Sequence, residues 1–260
     1  MHVAAQGTPR PLAFIVRMVL FIMGGAACAE PPGLVVLTPD RMRSRVEAFN
    51  RLDHTHFGQA VSNEKAADWM AANVPLLDCP DPDIEEIYHF RWWTIRKHIR
   101  QTDDGFVITE FLPRVSWSGK HNTISCPAGH HFREGRWIRD PKHLDDYAVF
   151  WFRKGGDPRR YSFWAADSIH QRALTLGHFE QAVDLLPDLV ANYEAWEKAR
   201  LEPDGLFWQI DDRDGMEVSV GGRDHRGEGK RPTINAYMYG DAVAIAAIAD
   251  AGSVLAIKDR

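Results

Sequence analysis

Between Gly205 and Gly227 the chain reads GLFWQIDDRDGMEVSVGGRDHRG. Asp211, Asp212, Asp214 and Glu217 stand there among aromatics and glycines. Two further acidic and aromatic clusters precede it. YHFRWW supplies Arg91, Trp92 and Trp93. FREGRWIRD supplies Glu134, Trp137 and Asp140, and the later SFWAADS adds Trp164 and Asp167. Each cluster has a plain structural reading by itself: an acidic surface turn, core aromatics, a salt-bridged arginine. Together they form the mixture that glycoside cleavage needs. One carboxylic acid protonates the leaving oxygen, and a second carboxylate activates water or attacks the sugar. Further acids, arginines and histidines hold hydroxyls, and tryptophan faces pack on the ring.

Other chemistries lack their motifs. There is no Gly-rich phosphate loop, no G-x-S-x-G and no Cys/His nucleophile signature. The net charge of −5 argues against a nucleic-acid footprint. His121, His130 and His131 lie near Cys126 without zinc spacing, so no metal or other cofactor is expected. Cys79 and Cys126 could pair in an oxidising compartment. The carbohydrate substrate is the expected partner.

The elements that must position these residues are mostly helical. Arg10 and Arg17 precede an apolar run from Met18 to Cys28, which has signal-peptide length and is too short to span a bilayer. Ala27-Cys28-Ala29 offers a cleavage site, so residues 1–29 read as a signal peptide and 30–260 as the domain. Secretion or periplasmic export follows, with a lipid anchor at Cys28 as the weaker alternative. Thr38-Pro39 opens a helix to about Leu52, and Ser62 caps a second to about Asn73. Asp83 opens a long third helix, with Ile84, Tyr88, Trp92, Ile95 and Ile99 as its buried stripe. Residues 106–111 read as one short strand. Residues 112–137 read as a long irregular loop. Helices follow over about 141–154, 162–176 and 179–200, with a break or kink at Pro187. A second long loop covers 205–231, and a last helix runs from Pro232 to about Ala251. Six or seven helices with ornate loops place a site at the loop end.

DGLFWQIDDRDGMEVSV resembles the six-hairpin, (α/α)6-toroid glycosidases: trehalases, processing α-glucosidases and mannosylglycerate-hydrolase-like enzymes. That group follows D-G-L with a turn G-[M/W]-[D/E]-x-S whose carboxylate is the general acid. Here Asp204-Gly205-Leu206 precedes Gly215-Met216-Glu217-Val218-Ser219, so the resemblance implies Glu217 as the acid. Many members carry Asp there. PAGHHFREGRWIRD resembles the P-G-G, F-x-E and W-D stretch through Pro127, Gly129, Phe132 and Glu134; Trp164 and Asp167 supply an alternative W-D pair. TINAYMYGDA resembles the helix after the acid loop and places Asn235 and Tyr237 near the site. The resemblance implies an all-α toroid and inverting hydrolysis. It also implies a base in later hairpins, so the chain reads as the N-terminal part of a longer domain whose partner is the missing C-terminal half. Two alternatives stay open: a toroid polysaccharide lyase using His130, His131 and Tyr161, or a non-catalytic carbohydrate-binding module.

Overall fold

The computed structural model describes residues 37–215 and 227–258. The segment read as a signal peptide, Met216 and Glu217 lie outside the described residues. Thr38 donates its hydroxyl to Asp40 (2.7 Å), and α1 runs Asp40–Leu52. Then come α2 (Asn63–Asn73) and α3 (Pro82–His98). Asp81 caps α3 by accepting the N–H groups of Asp83 and Ile84 at 3.0 and 3.4 Å.

The stripe expected on α3 is turned about the helix axis. Ile84 is exposed, whereas Glu85, His89, Trp92, Trp93 and Arg96 are buried. The cause is polar. Arg41 of α1 holds Glu85 at 2.6 Å, and Arg96 donates to Val61 O (2.9 Å) and Asn63 Oδ1 (3.0 Å). Pairing those groups inside outweighs burying one isoleucine, because an unpaired buried charge is costly.

A β-hairpin follows where one strand was expected: β1 (Ile99–Thr102) antiparallel to β2 (Gly105–Ile108), with Thr102 opposite Gly105. Gly105 has φ +102°, and a Cβ there would lie 2.8 Å from Asp146. Only glycine suits both demands. Phe106 N–H then donates to Asp146 Oδ2 at 3.1 Å, which docks the hairpin on α5 (Lys142–Arg153).

The stretch read as irregular loop contains a helix, α4 (Ala128–Gly135). Helices α6 (Ala165–Leu176), α7 (Glu180–Arg200) and α8 (Pro232–Lys258) complete the set. Pro187 lies inside α7, which continues through it. A second hairpin pairs β3 (Trp208–Ile210) with β4 (Glu228–Lys230). Among the described residues there are thus eight α-helices and four short strands, against the six or seven helices and one strand expected. The class is the expected one: an all-α arrangement consistent with an (α/α)-toroid.

α8 packs on α6 and α7, burying Ile234, Met238, Asp241, Ala244 and Ile248 along one face. Among the described residues, it is the one helix long and apolar enough to cross a membrane by length and composition. One hydrophobic core reaches from Met42 and Val46 on α1 to Ala244 and Ile248 on α8. At its centre Phe132 stacks on Tyr147 at 5.0 Å, and Trp151 packs against Phe163 at 5.7 Å. Cys79 and Cys126 form no disulfide.

Candidate active site

α4 brings most of the site together. His130, Arg133, Glu134 and Trp137 fall at i, i+3, i+4 and i+7, and so share one side of the helix and the turn after it. They face α3 across a cleft. Its two adjoining hollows, about 370 and 330 Å³, share Arg91, Ile95 and Glu134. Arg91 and Glu134 form an ion pair across the cleft. Tyr88 and Trp92 line the α3 wall, and Trp137 the other. Trp137 is 49% exposed, which is unusual for an indole and leaves it free to contact a ligand. The Arg136 guanidinium lies 5.0 Å from its ring centre.

The other end of α4 touches a second aromatic group. Gly129 allows α4 to press on Trp164; a Cβ there would fall 2.0 Å from the indole Nε1. Trp164 stacks on Tyr237 of α8 at 6.0 Å. His130 meets its edge at 5.3 Å, and the Arg133 guanidinium lies 5.8 Å from its ring centre. His130 and Arg133 therefore border both the cleft and the Trp164 platform.

α6 begins directly after Trp164, and its start is held by a buried carboxylate. Asp241 of α8, 2% exposed, accepts Asp167 N–H at 3.0 Å and the N–H groups of Ala166 and Ala165. Burial pushes this carboxyl up to about 8, against the lowering effect of those three donors. Burial similarly drives the His131 imidazole down to about 3, so it is neutral; it contacts the Tyr147 hydroxyl at 3.1 Å.

The acidic stretch is pinned at its root. Ser162 donates its N–H to Arg213 O (2.8 Å) and its hydroxyl to Asp214 Oδ1 (2.6 Å). Asp214 is 2% exposed, and burial raises its pKa. Asp211 pairs with the buried Arg231 at 2.7 Å. Gly215 (φ +69°) lies against Cys126, whose sulfur would be 3.0 Å from a Cβ there. The next residues in sequence are Met216 and Glu217.

Of the residues expected at the site, Arg91, Trp92, Glu134 and Trp137 meet in the cleft, and Trp164 adjoins it. Asp167 sits in the first turn of α6, partly exposed. Four stand elsewhere. Trp93 is 6% exposed and faces α1, donating to Asn50 at 2.8 Å. Asp140 caps the start of α5 by accepting Lys142 N–H at 3.0 Å. The Asp212 side chain is 73% exposed in a surface turn beside Arg213. Asn235 clamps the backbone of Phe207, accepting its N–H and donating to its carbonyl, both at 2.8 Å. Among the lyase candidates, His130 and His131 line the hollows, but Tyr161 lies under the Arg213 guanidinium at 5.4 Å and lines neither. The reading of the sequence missed Tyr88, Arg133, Arg136 and Asp241. The spacing of His130, Arg133, Glu134 and Trp137 was the signal for α4 and its contents.

The comparisons with known proteins bear on this geometry. Residues 120–256, more than half of the chain, match the family described as mannosylglycerate hydrolase MGH1-like glycoside hydrolase domain. Among solved structures, a chain named "Sialidase" superposes with a TM-score of 0.79 at 40% identity, covering 84% of this chain and 20% of that one. The chain thus spans about a fifth of the length of that protein. No curated protein matches.

Proposed function

This chain belongs to the mannosylglycerate hydrolase MGH1-like glycoside hydrolase family, and from that premise we propose that it hydrolyses an O-glycosidic bond of an oligo- or polysaccharide by general acid/base catalysis. The observation that carries the reading is the juxtaposition on α4: a cleft with Arg91, Glu134 and exposed Trp137 at one end, and the Trp164–Tyr237 platform at the other. Flat indole faces suit sugar rings, and the guanidinium and carboxylate suit hydroxyls.

Glu217 is the proposed acid. Support comes from the D-G-L and G-M-E-V-S motifs and from the anchoring of their link through Asp214 and Gly215 beside Cys126. To keep its proton near neutral pH the carboxyl needs an apolar surrounding, for which Trp208 and Met216 are the neighbours in sequence. A second carboxylate, roughly 6.5–9.5 Å away, would activate water on the opposite face and invert the anomeric centre.

The test is Glu217→Gln assayed on paired methyl and 4-nitrophenyl glycosides. The panel includes acidic sugars, because Arg91, Arg133 and Arg136 line the Trp137 hollow with Glu134 as its one carboxylate among the described residues. Loss of the acid should cut kcat on the methyl glycoside about 10²–10⁴-fold, and much less on the nitrophenyl one, whose leaving group needs no proton. Equal, few-fold losses on both would remove Glu217 from that role. Export through the N-terminal apolar run is proposed alongside and is read by N-terminal sequencing of the mature protein; a start at Glu30 is expected.

A further inference from the structure

A larger cavity, about 670 Å³, lies between the α1–α2 link, β1 and the 112–122 segment. It shares no lining residue with the α3–α4 cleft. Its charged lining has one sign. Arg100, Arg114, Lys120 and His121 border it, and among the described residues no carboxylate does. Asp104 is engaged by Lys120 at 2.5 Å and His121 at 2.6 Å, and Lys120 also donates to Lys154 O at 2.9 Å.

Arg100 is the arginine that borders this cavity without a carboxylate partner. Two buried arginines of this fold meet acids, Arg172 with Asp145 at 2.5 Å and Arg231 with Asp211 at 2.7 Å, and buried Arg96 is held by Val61 O and Asn63 Oδ1. Arg100 donates only to the Leu112 carbonyl through Nη2, and its buried Nε has no partner. Burial pulls its pKa down, and no carboxylate among the described residues offsets this. The chain passes over it at Gly58 (φ +73°), where a Cβ would stand 3.3 Å from Nη1. Nη1 carries no hydrogen bond among the described residues.

The opposite wall is rigid. Asn122 donates to the carbonyls of Phe111 (2.8 Å) and Pro113 (3.1 Å) and accepts from Val115 N–H (3.1 Å) and the Ser118 hydroxyl (2.8 Å). His121 and Asn122 are consecutive left-handed residues, φ 56° and 64°, a conformation that costs non-glycine residues and persists where the surroundings enforce it. The outcome is a preformed hollow of small-molecule size.

We propose that this cavity is an oxyanion-binding site. It takes the carboxylate, sulfate or phosphate group of a saccharide-sized molecule, with the fork of Arg100 as anchor and Arg114 at the mouth. A planar guanidinium pairs with two oxygens of such groups at once. The site stands apart from the acid/base reading, since binding here is measured without turnover.

The experiment is calorimetric titration of the full chain with sodium glucuronate, sulfate and phosphate in separate runs, so that the three forms are distinguished. At least one should bind with a Kd of about 1 mM or tighter. Arg114 is exposed and carries no hydrogen bond among the described residues, so Arg114→Ala should stay folded and weaken binding by about tenfold. Arg100→Met should weaken it further, whereas Arg91→Ala in the other cleft should not change it. No heat from any of the three anions would overturn the proposal. So would binding unaltered in folded Arg114→Ala and Arg100→Met proteins.

Discussion

Trp164 leaves room for nothing larger than hydrogen at position 129. The ideal Cβ position sits 2.0 Å from its Nε1, with the ring carbons at 2.3 and 2.5 Å. Gly129→Ala must push either α4 or the indole, at a cost of about 1–3 kcal/mol. A drop in the urea midpoint together with weakened glycan binding is the expected result; an unchanged midpoint would mean that α4 does not rest on Trp164. Asp241 makes a pH-dependent contribution. Its folded pKa is raised from 3.8 to about 8, so the folded state holds the proton more tightly than the unfolded chain. The stabilisation is complete below about 3.8 and is lost as pH rises through about 8. The Tm of the wild type should therefore fall between about pH 4 and 8 and level off above that. Asp241→Asn, with no proton to release, should flatten that fall; parallel profiles would refute the assignment. Residue types alone singled out Arg91, Trp92, Glu134, Trp137 and Trp164. They could not separate Trp92 from Trp93: neighbours on a helix differ by about 100° in direction, both are buried, and only the packing of α1 decides which one turns away from the cleft. Asn235 was equally mute, since the same amide serves a sugar hydroxyl or a peptide group.

At the scale of elements, the join between α8 and the segment before β3 hangs on that asparagine. Asn235→Ala orphans the N–H and carbonyl of Phe207, so a loss of about 1–3 kcal/mol is expected in denaturant melts. A loss confined to a few tenths would show that solvent replaces the clamp. Seven of the eight helices were legible, because caps, prolines and apolar periodicity mark them, with ends within a few residues except for α8, which runs to Lys258 where about Ala251 was expected. α4 was not. Gly129 and Gly135 depress its helix propensity, and its stability comes from Phe132 in the core and Trp164 against its first turn. The hairpins escaped for a related reason. β1 continues α3 without a break, and β3 and β4 are three residues each, joined across a long stretch, so neither carries enough alternation to be read.

Among the described residues the main core cluster runs from α1 to α8, with tryptophans spread from Trp92 and Trp93 to Trp164, and Trp196, Phe207, Ile234 and Met238 form a smaller second cluster between α7 and α8. Unfolding should be a single event, with tryptophan fluorescence and helical circular dichroism losing signal together; separated midpoints would show that the first three helices melt by themselves. Those three helices pack mainly on one another, while α4, α6, α7 and α8 form a second neighbourhood, and the β1–β2 hairpin ties the two through α5. The α3–α4 cleft lies on that boundary, and Arg91 and Glu134 reach across it with side chains 59% and 42% exposed. Such a pair adds at most about 1 kcal/mol to stability, so a ligand can part it cheaply. It also answers to the surrounding electrolyte: at physiological salt, charges in water are screened over about 8 Å, and over less in brine. How readily the cleft opens is thus set partly by the medium in which the protein works, and KM should shift with ionic strength under conditions that leave the fold untouched.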